Sequence, residues 1–259
     1  RDIFKEKLDL HHVPALDNIL YWEDVLFPIA DFYLAKERWD EAIEIYEELE
    51  SIGGFEGESA EYYQKFGYAL QKRKKYAEAI QAYLKADTLK PDNIWNNRHL
   101  AICYRLNRNY QAALTYYKKV EEAAPEDTNV TFYIGSCLAE LGQYEEALNY
   151  FFKLDFIESN CVKAWRGIGW CSFISLKYEQ AMKYYEKIIE HKPLAIDYMN
   201  AGHVAWVMGN IQKAAVLYGK AITACGTRER FLEMFHKDEE PLLKQGIREE
   251  DIPLMLDLL

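Results

Sequence analysis

The sequence predicts an all-α fold of stacked helix pairs, and three observations carry that prediction. Columns of like residues recur about every 34 positions along the 259-residue chain. Within each period the apolar positions fall at three- and four-residue steps, which is one face of a 3.6-residue helix. Helix breakers are few, 13 Gly and 7 Pro, and several of them fall at repeating places.

The clearest column is Ala42, Ala79, Ala113, Ala147, Ala181 and Ala214, at spacings of 37, 34, 34, 34 and 33. Three residues before each stands Trp39, Tyr76, Tyr110, Tyr144, Tyr178 or Ile211, and four after each Tyr46, Tyr83, Tyr117, Phe151, Tyr185 or Tyr218. Twelve before comes a small residue: Ala30, Gly67, Ala101, Gly135, Gly169 or Gly202. Each period therefore reads as two helices. In the second, Tyr76, Ala79, Ile80, Tyr83 and Ala86 share a face, where the Ala lets another backbone approach and the ring one turn later fills the space beside it. The first helix, such as Glu61 to Lys72, carries Gly67 in its interior, where Gly costs about 1 kcal/mol relative to Ala. A cost repeated at one place implies close contact with the partner helix. Pro91, Pro125 and Pro193 end three periods, because Pro cannot continue a helix, and Ser159 takes that place in the fourth.

The periods divide the chain into blocks 23–59, 60–93, 94–127, 128–161, 162–194 and 195–228. Such blocks bury their apolar faces only against neighbours, so the array needs caps. Residues 229–259 break the period and read as capping helices, with Phe231, Leu232, Met234 and Phe235 on one face, Pro241 opening a further helix, and Ile252 to Leu259 docked on the last block. Residues 1–22 read as a flanking helix or the remnant of an earlier block, with Leu16, Ile19, Leu20 and Trp22 as its apolar face.

Thirty-one basic against 42 acidic residues give a net charge of −11, which argues against a nucleic-acid partner because phosphate contacts need clustered Lys and Arg. The longest run free of Asp, Glu, Lys and Arg, Tyr198 to Gln212, is short of the roughly 20 apolar residues that span a bilayer. Five Cys, an odd number in a long chain, fit a reducing compartment, and the cytoplasm is favoured. The chain opens at Arg1 and not at Met, so a second reading is a structural or regulatory arm of a longer chain, acting through intramolecular contacts or self-association.

Catalytic and metal chemistry find no constellation in this pattern. Cys103, Cys137 and Cys171 hold equivalent places one period apart, which makes them small core residues rather than shared ligands. His11 and His12 are adjacent instead of i, i+4, and His99, His191, His203 and His236 are scattered. The Gly167–Ser172 stretch GIGWCS falls inside a predicted helix with no strand before it, so it is packing and not a phosphate loop. No enzyme activity, cofactor or metal is expected.

The stretches GYALQKRKKYAEAIQAYLKADTLKP and GSCLAELGQYEEALNYFFKLDF, with their Gly, Tyr, Ala, aromatic, Ala and Pro positions, resemble the tetratricopeptide repeat (TPR), and the resemblance covers about residues 23 to 228. Departures are Pro28 inside the first predicted helix, the linker glycines Gly53, Gly54 and Gly57, and Ile211 in the Tyr column. The resemblance implies a right-handed superhelical solenoid of antiparallel helix pairs. It also implies a concave groove, lined by first helices, that binds a protein or peptide partner without catalysis. At the places where that family directs side chains into the groove stand Lys65, Tyr68, Lys72, Trp95, Arg98, His99 and Arg105. They are followed by Phe132, Tyr133, Lys163, Arg166, Trp170, His203 and Trp206, together with Gln64, Gln71, Ser136, Glu140 and Asn200. This lining is basic and aromatic inside an acidic protein, which suits an extended acidic or aromatic peptide, since Arg forks onto carboxylates and rings supply rigid contact area. TPR domains that clamp the C-terminal carboxylate of chaperone tails use Lys, Asn and Arg across three units. Here only Lys163 matches, with Tyr133 and Gly167 at the other two places.

Overall fold

The computed structural model describes residues 23–52 and 59–259. The segment 1–22, with His11 and His12, and the glycines at 53, 54 and 57 lie outside the described residues. Two compact units divide between Asn109 and Tyr110. The periodic columns run through this point unbroken, so nothing in the sequence marks it.

The first unit holds α1 (Glu23–Ala35), α2 (Trp39–Ile52), α3 (Ala60–Lys72), α4 (Tyr76–Leu89) and α5 (Ile94–Leu106). Consecutive helices pack together, and α3 also touches α5, so first helices adjoin across blocks. The second unit holds α6 (Tyr110–Ala123), α7 (Thr128–Glu140), α8 (Tyr144–Ile157), α9 (Val162–Ile174), α10 (Tyr178–Ile189), α11 (Ala195–Val207) and α12 (Ile211–Cys225). After them come α13 (Arg228–Phe235), a 3₁₀ turn (His236–Asp238), α14 (Glu239–Lys244) and α15 (Asp251–Asp257). Here α9 touches both α7 and α11. Among the described residues no helix is long and apolar enough to cross a membrane.

The columns are the core. All six column Ala residues are 0% exposed, and the six rings four places later are at most 2% exposed. Each ring's place explains the costly glycines: a Cβ at Gly135 would stand 2.9 Å from the Phe151 ring, and one at Gly202 2.5 Å from the Tyr218 ring. Phe151 is clasped from a second side, since a Cβ on Gly167 of the next first helix would lie 2.6 Å from it. The GIGWCS stretch is thus a packing surface. Cys103, Cys137 and Cys171 are buried, and burial pushes the pKa of Cys103 and Cys171 up to about 12, which keeps them unreactive.

The turn inside each pair repeats as strictly. Glu37, Lys74, Arg108, Gly142, Leu176 and Gly209 all have positive φ, between 55° and 80°, and they form a column with the spacing of the Ala residues. At each, the next N–H bonds the carbonyl five residues back, as in Lys75 to Leu70 and Gln143 to Leu138, both 2.9 Å. This is a Schellman C-cap, and it satisfies carbonyls that the helix end would leave orphaned. Between blocks, Ser59, Asn93 and Asp127 side chains cap α3, α5 and α7 by accepting backbone N–H bonds.

The C-terminal residues fold against the last pairs of the second unit. Phe231, Phe235 and Leu242 are 0% exposed. Arg228 donates to the Leu256 carbonyl at 2.7 Å, while Gln245 accepts from the Tyr178 hydroxyl at 2.8 Å. Leu254 and Leu258 of the final apolar run stay exposed.

Candidate functional site

In the first unit the expected residues gather around Tyr68. Its ring meets Trp39 at 5.8 Å, Trp95 at 6.1 Å and His99 at 5.6 Å, and the Lys72 ammonium lies 5.0 Å above it. Trp95 is 42% exposed and its ring centroid is 3.9 Å from that of His99. Gln71 Oε1 accepts from the Tyr83 hydroxyl at 3.0 Å and lies 2.8 Å from His99 Nδ1. Burial, with Arg98 and Lys72 nearby, pulls the His99 pKa down to about 4, so the ring is neutral at pH 7 and carries its proton on Nδ1 toward Gln71. Arg98 and Arg105 are partly exposed on α5. Leu34, Glu61, Gln64, Lys65, Tyr68 and Trp95 line a cavity of about 240 Å³. Lys65 is paired there, 2.9 Å from both Asp31 and Glu61.

In the second unit α7, α9 and α11 build the larger site, a cavity of about 400 Å³. Seven expected residues, Phe132, Ser136, Glu140, Lys163, Arg166, Trp170 and Asn200, converge on it, joined by Phe151, Gly167 and Asp197. Their spacing explains why. One residue per turn of each first helix faces the same side, and adjoining first helices lay those sides next to one another. Lys163 lies 5.7 Å from the Phe132 ring and 3.5 Å from Glu158. Asn200 Oδ1 is buried without a hydrogen-bond partner.

Three expectations need correction. Arg166 is not an unpaired cation: its Nε and Nη2 donate to the two Asp197 oxygens, each at 2.7 Å, in a bidentate fork. Asp197 is only 1% exposed and also accepts from the Leu194 N–H at 2.8 Å, at the start of α11. His203 and Trp206 do not face a groove. They are 0% and 6% exposed, because Phe235 of α13 lies against both rings, at 5.4 and 6.5 Å. Tyr133 is absent from the cavity lining and instead stacks on Tyr117 at 5.6 Å. The lining carries the two acids expected among its basic residues, Glu140 in one cavity and Glu61 in the other, and Asp197 adds a third.

Asp197 was the residue that sequence reasoning missed. Its signal was local, an acid three places after Leu194 at a predicted helix start, which is where a side chain can reach back to the cap N–H. Its pairing with Arg166, 31 residues earlier, follows only from the stacking of α9 on α11.

Models of the tetratricopeptide repeat match residues 26–52, 60–93 and 100–154, the same stretches in which the helix pairs and ring columns were found. The chain is a tetratricopeptide repeat protein. Solved TPR structures share its fold. YrrB, described as a TPR protein with an unusual peptide-binding site, has a TM-score of 0.58 at 22% identity, over 76% of this chain and 97% of YrrB. A tetratricopeptide repeat protein from Parabacteroides merdae ATCC 43184 has a TM-score of 0.62 at 19% identity, over 91% and 97%. MamA from Desulfovibrio magneticus RS-1, residue 41 to its end, has a TM-score of 0.61 at 17% identity, over 65% and 96%. At these identities the likeness of the TPR protein to each is one of fold. No curated protein matches it in sequence.

Proposed function

We propose that this TPR protein is an interaction module that holds an extended segment of a protein partner on the first-helix surface of its second unit. The observation that carries the reading is the cavity of about 400 Å³ on α7, α9 and α11, which gathers the Phe132 and Trp170 rings with Lys163, Ser136 and Asn200. Its volume falls within the roughly 300–1,000 Å³ of ligand sites, and a few polar groups in an apolar lining are what orient a bound chain. The peptide-binding site described for YrrB, on the same fold, supports the class of partner.

The test is selection of binding peptides from a random 12-residue display library, followed by affinity measurement on a Phe132→Ala, Trp170→Ala double variant. Losing two ring anchors should weaken binding by about 10- to 100-fold while helicity is retained. Unchanged affinity would place the binding surface elsewhere and end this assignment.

A further inference from the structure

The specificity of that cavity follows from a pairing inside it. Both cations in its lining face an acid of this same chain: Arg166 by the two 2.7 Å bonds to Asp197, and Lys163 at 3.5 Å from Glu158. Asp197 takes the Nε–Nη2 edge of Arg166 and neutralises its charge, so a ligand carboxylate finds only the Nη1 side of a guanidinium that is already paired. To take the Nε–Nη2 edge it would have to displace Asp197, which is 1% exposed and held by the Leu194 N–H as well. A buried carboxylate stripped of its partner is strongly disfavoured, so that exchange carries a large penalty. Glu140, exposed on the same lining, repels a second anion. What the cavity still offers is mainly apolar: the faces of Phe132, Phe151 and Trp170.

We propose that Asp197 is a specificity-determining residue that neutralises Arg166 from within and sets this cavity to take an uncharged apolar side chain of the partner segment and to disfavour a carboxylate. The proposal rests on the groove reading above and reverses the charge preference that the sequence alone suggests. Asp197 acts through Arg166, and its removal should convert the cavity to an anion site.

Two small probes separate these outcomes: N-acetyl-leucinamide and its free acid, N-acetyl-leucine, which is ionised at pH 7. Each is titrated into the full ¹⁵N-labelled chain while the Trp170 indole N–H signal is followed. In the wild type the amide should shift Trp170 and the acid should bind about tenfold more weakly, a gap of about 1.4 kcal/mol. In Asp197→Asn, which keeps an acceptor for the Leu194 N–H but frees the Arg166 charge, the order should reverse. A wild-type chain that binds the acid as tightly as the amide overturns the proposal with no need of the variant, and so does an unchanged ratio in Asp197→Asn. A wild type in which neither probe moves Trp170 while the library peptides bind through Phe132 and Trp170 overturns this specificity and leaves the groove reading standing. If those peptides also ignore the double substitution, both fall.

Discussion

Gly202 shows how a single hydrogen atom can be required. The Tyr218 ring that lies where its Cβ would go is boxed by His203 at 5.5 Å, Phe231 at 5.7 Å and Phe235 at 5.6 Å, so it has no room to yield. Two effects of Gly202→Ala oppose each other. Ala gains about 1 kcal/mol in helix propensity, whereas overpacking a rigid core costs about 1–3 kcal/mol. With a contact of 2.5 Å the second should win, and urea denaturation should show a net loss of about 1–2 kcal/mol. Gly219→Ala on the same repeat is the control. Nothing lies within 4 Å of its Cβ position, so the propensity gain of up to about 1 kcal/mol should stand alone. Equal effects at the two sites would show that ring contact does not explain the glycine column. That column was readable as a packing constraint from recurrence alone. The turn column was harder, because Glu37, Lys74, Arg108 and Leu176 adopt positive φ without the Gly that advertises it.

The element most dependent on tertiary context is α13 with the 3₁₀ turn behind it. The buried His203 ring has its Nδ1 2.8 Å from the Tyr218 hydroxyl, while its Nε2, without a hydrogen-bond partner, faces Asp238 on that turn at 3.4 Å. Burial lowers the His203 pKa, and Asp238 offsets only part of this. The sign follows from linkage. Below about pH 6.5 the unfolded chain takes up a proton that the folded chain resists, so stability falls as pH falls. His99, pulled down to about 4, contributes in the same direction in the first unit. Chemical denaturation at pH 7.5 and pH 5.5 should therefore show wild-type stability falling on acidification. His203→Gln should fall less over that window, and an equal drop would remove His203 as the cause. Other elements are tied across blocks by polar groups. Asp155 of α8 accepts from Trp165 Nε1 of α9 and from the Tyr184 hydroxyl of α10, a three-helix link with no motif to announce it.

At the scale of the whole molecule, a repeat array is stabilised by terms between neighbours and has no single core. The second unit contains its own columns, glycine–ring contacts and C-terminal helices, all between Tyr110 and Leu259. A fragment of residues 110–259 should accordingly stay helical and melt cooperatively. A gradual, non-cooperative loss of its circular dichroism signal would show that the unit is not self-supporting. Exposed ion pairs such as Lys177–Glu145 and Lys213–Glu186 contribute about 0–1 kcal/mol each, so the net charge of −11 bears on partners more than on stability. Periodicity in the sequence by itself determined the helix pairs and the buried Ala and ring columns, because each follows from spacing along one chain. The resemblance also selected seven of the residues that meet in the larger cavity, Phe132, Ser136, Glu140, Lys163, Arg166, Trp170 and Asn200. Only the tertiary structure decided which of them are available. Whether Arg166 faces a partner or Asp197, and whether Trp206 meets a groove or Phe235, depends on residues about 30 positions away, and stacking brings these within bonding distance without a local signal.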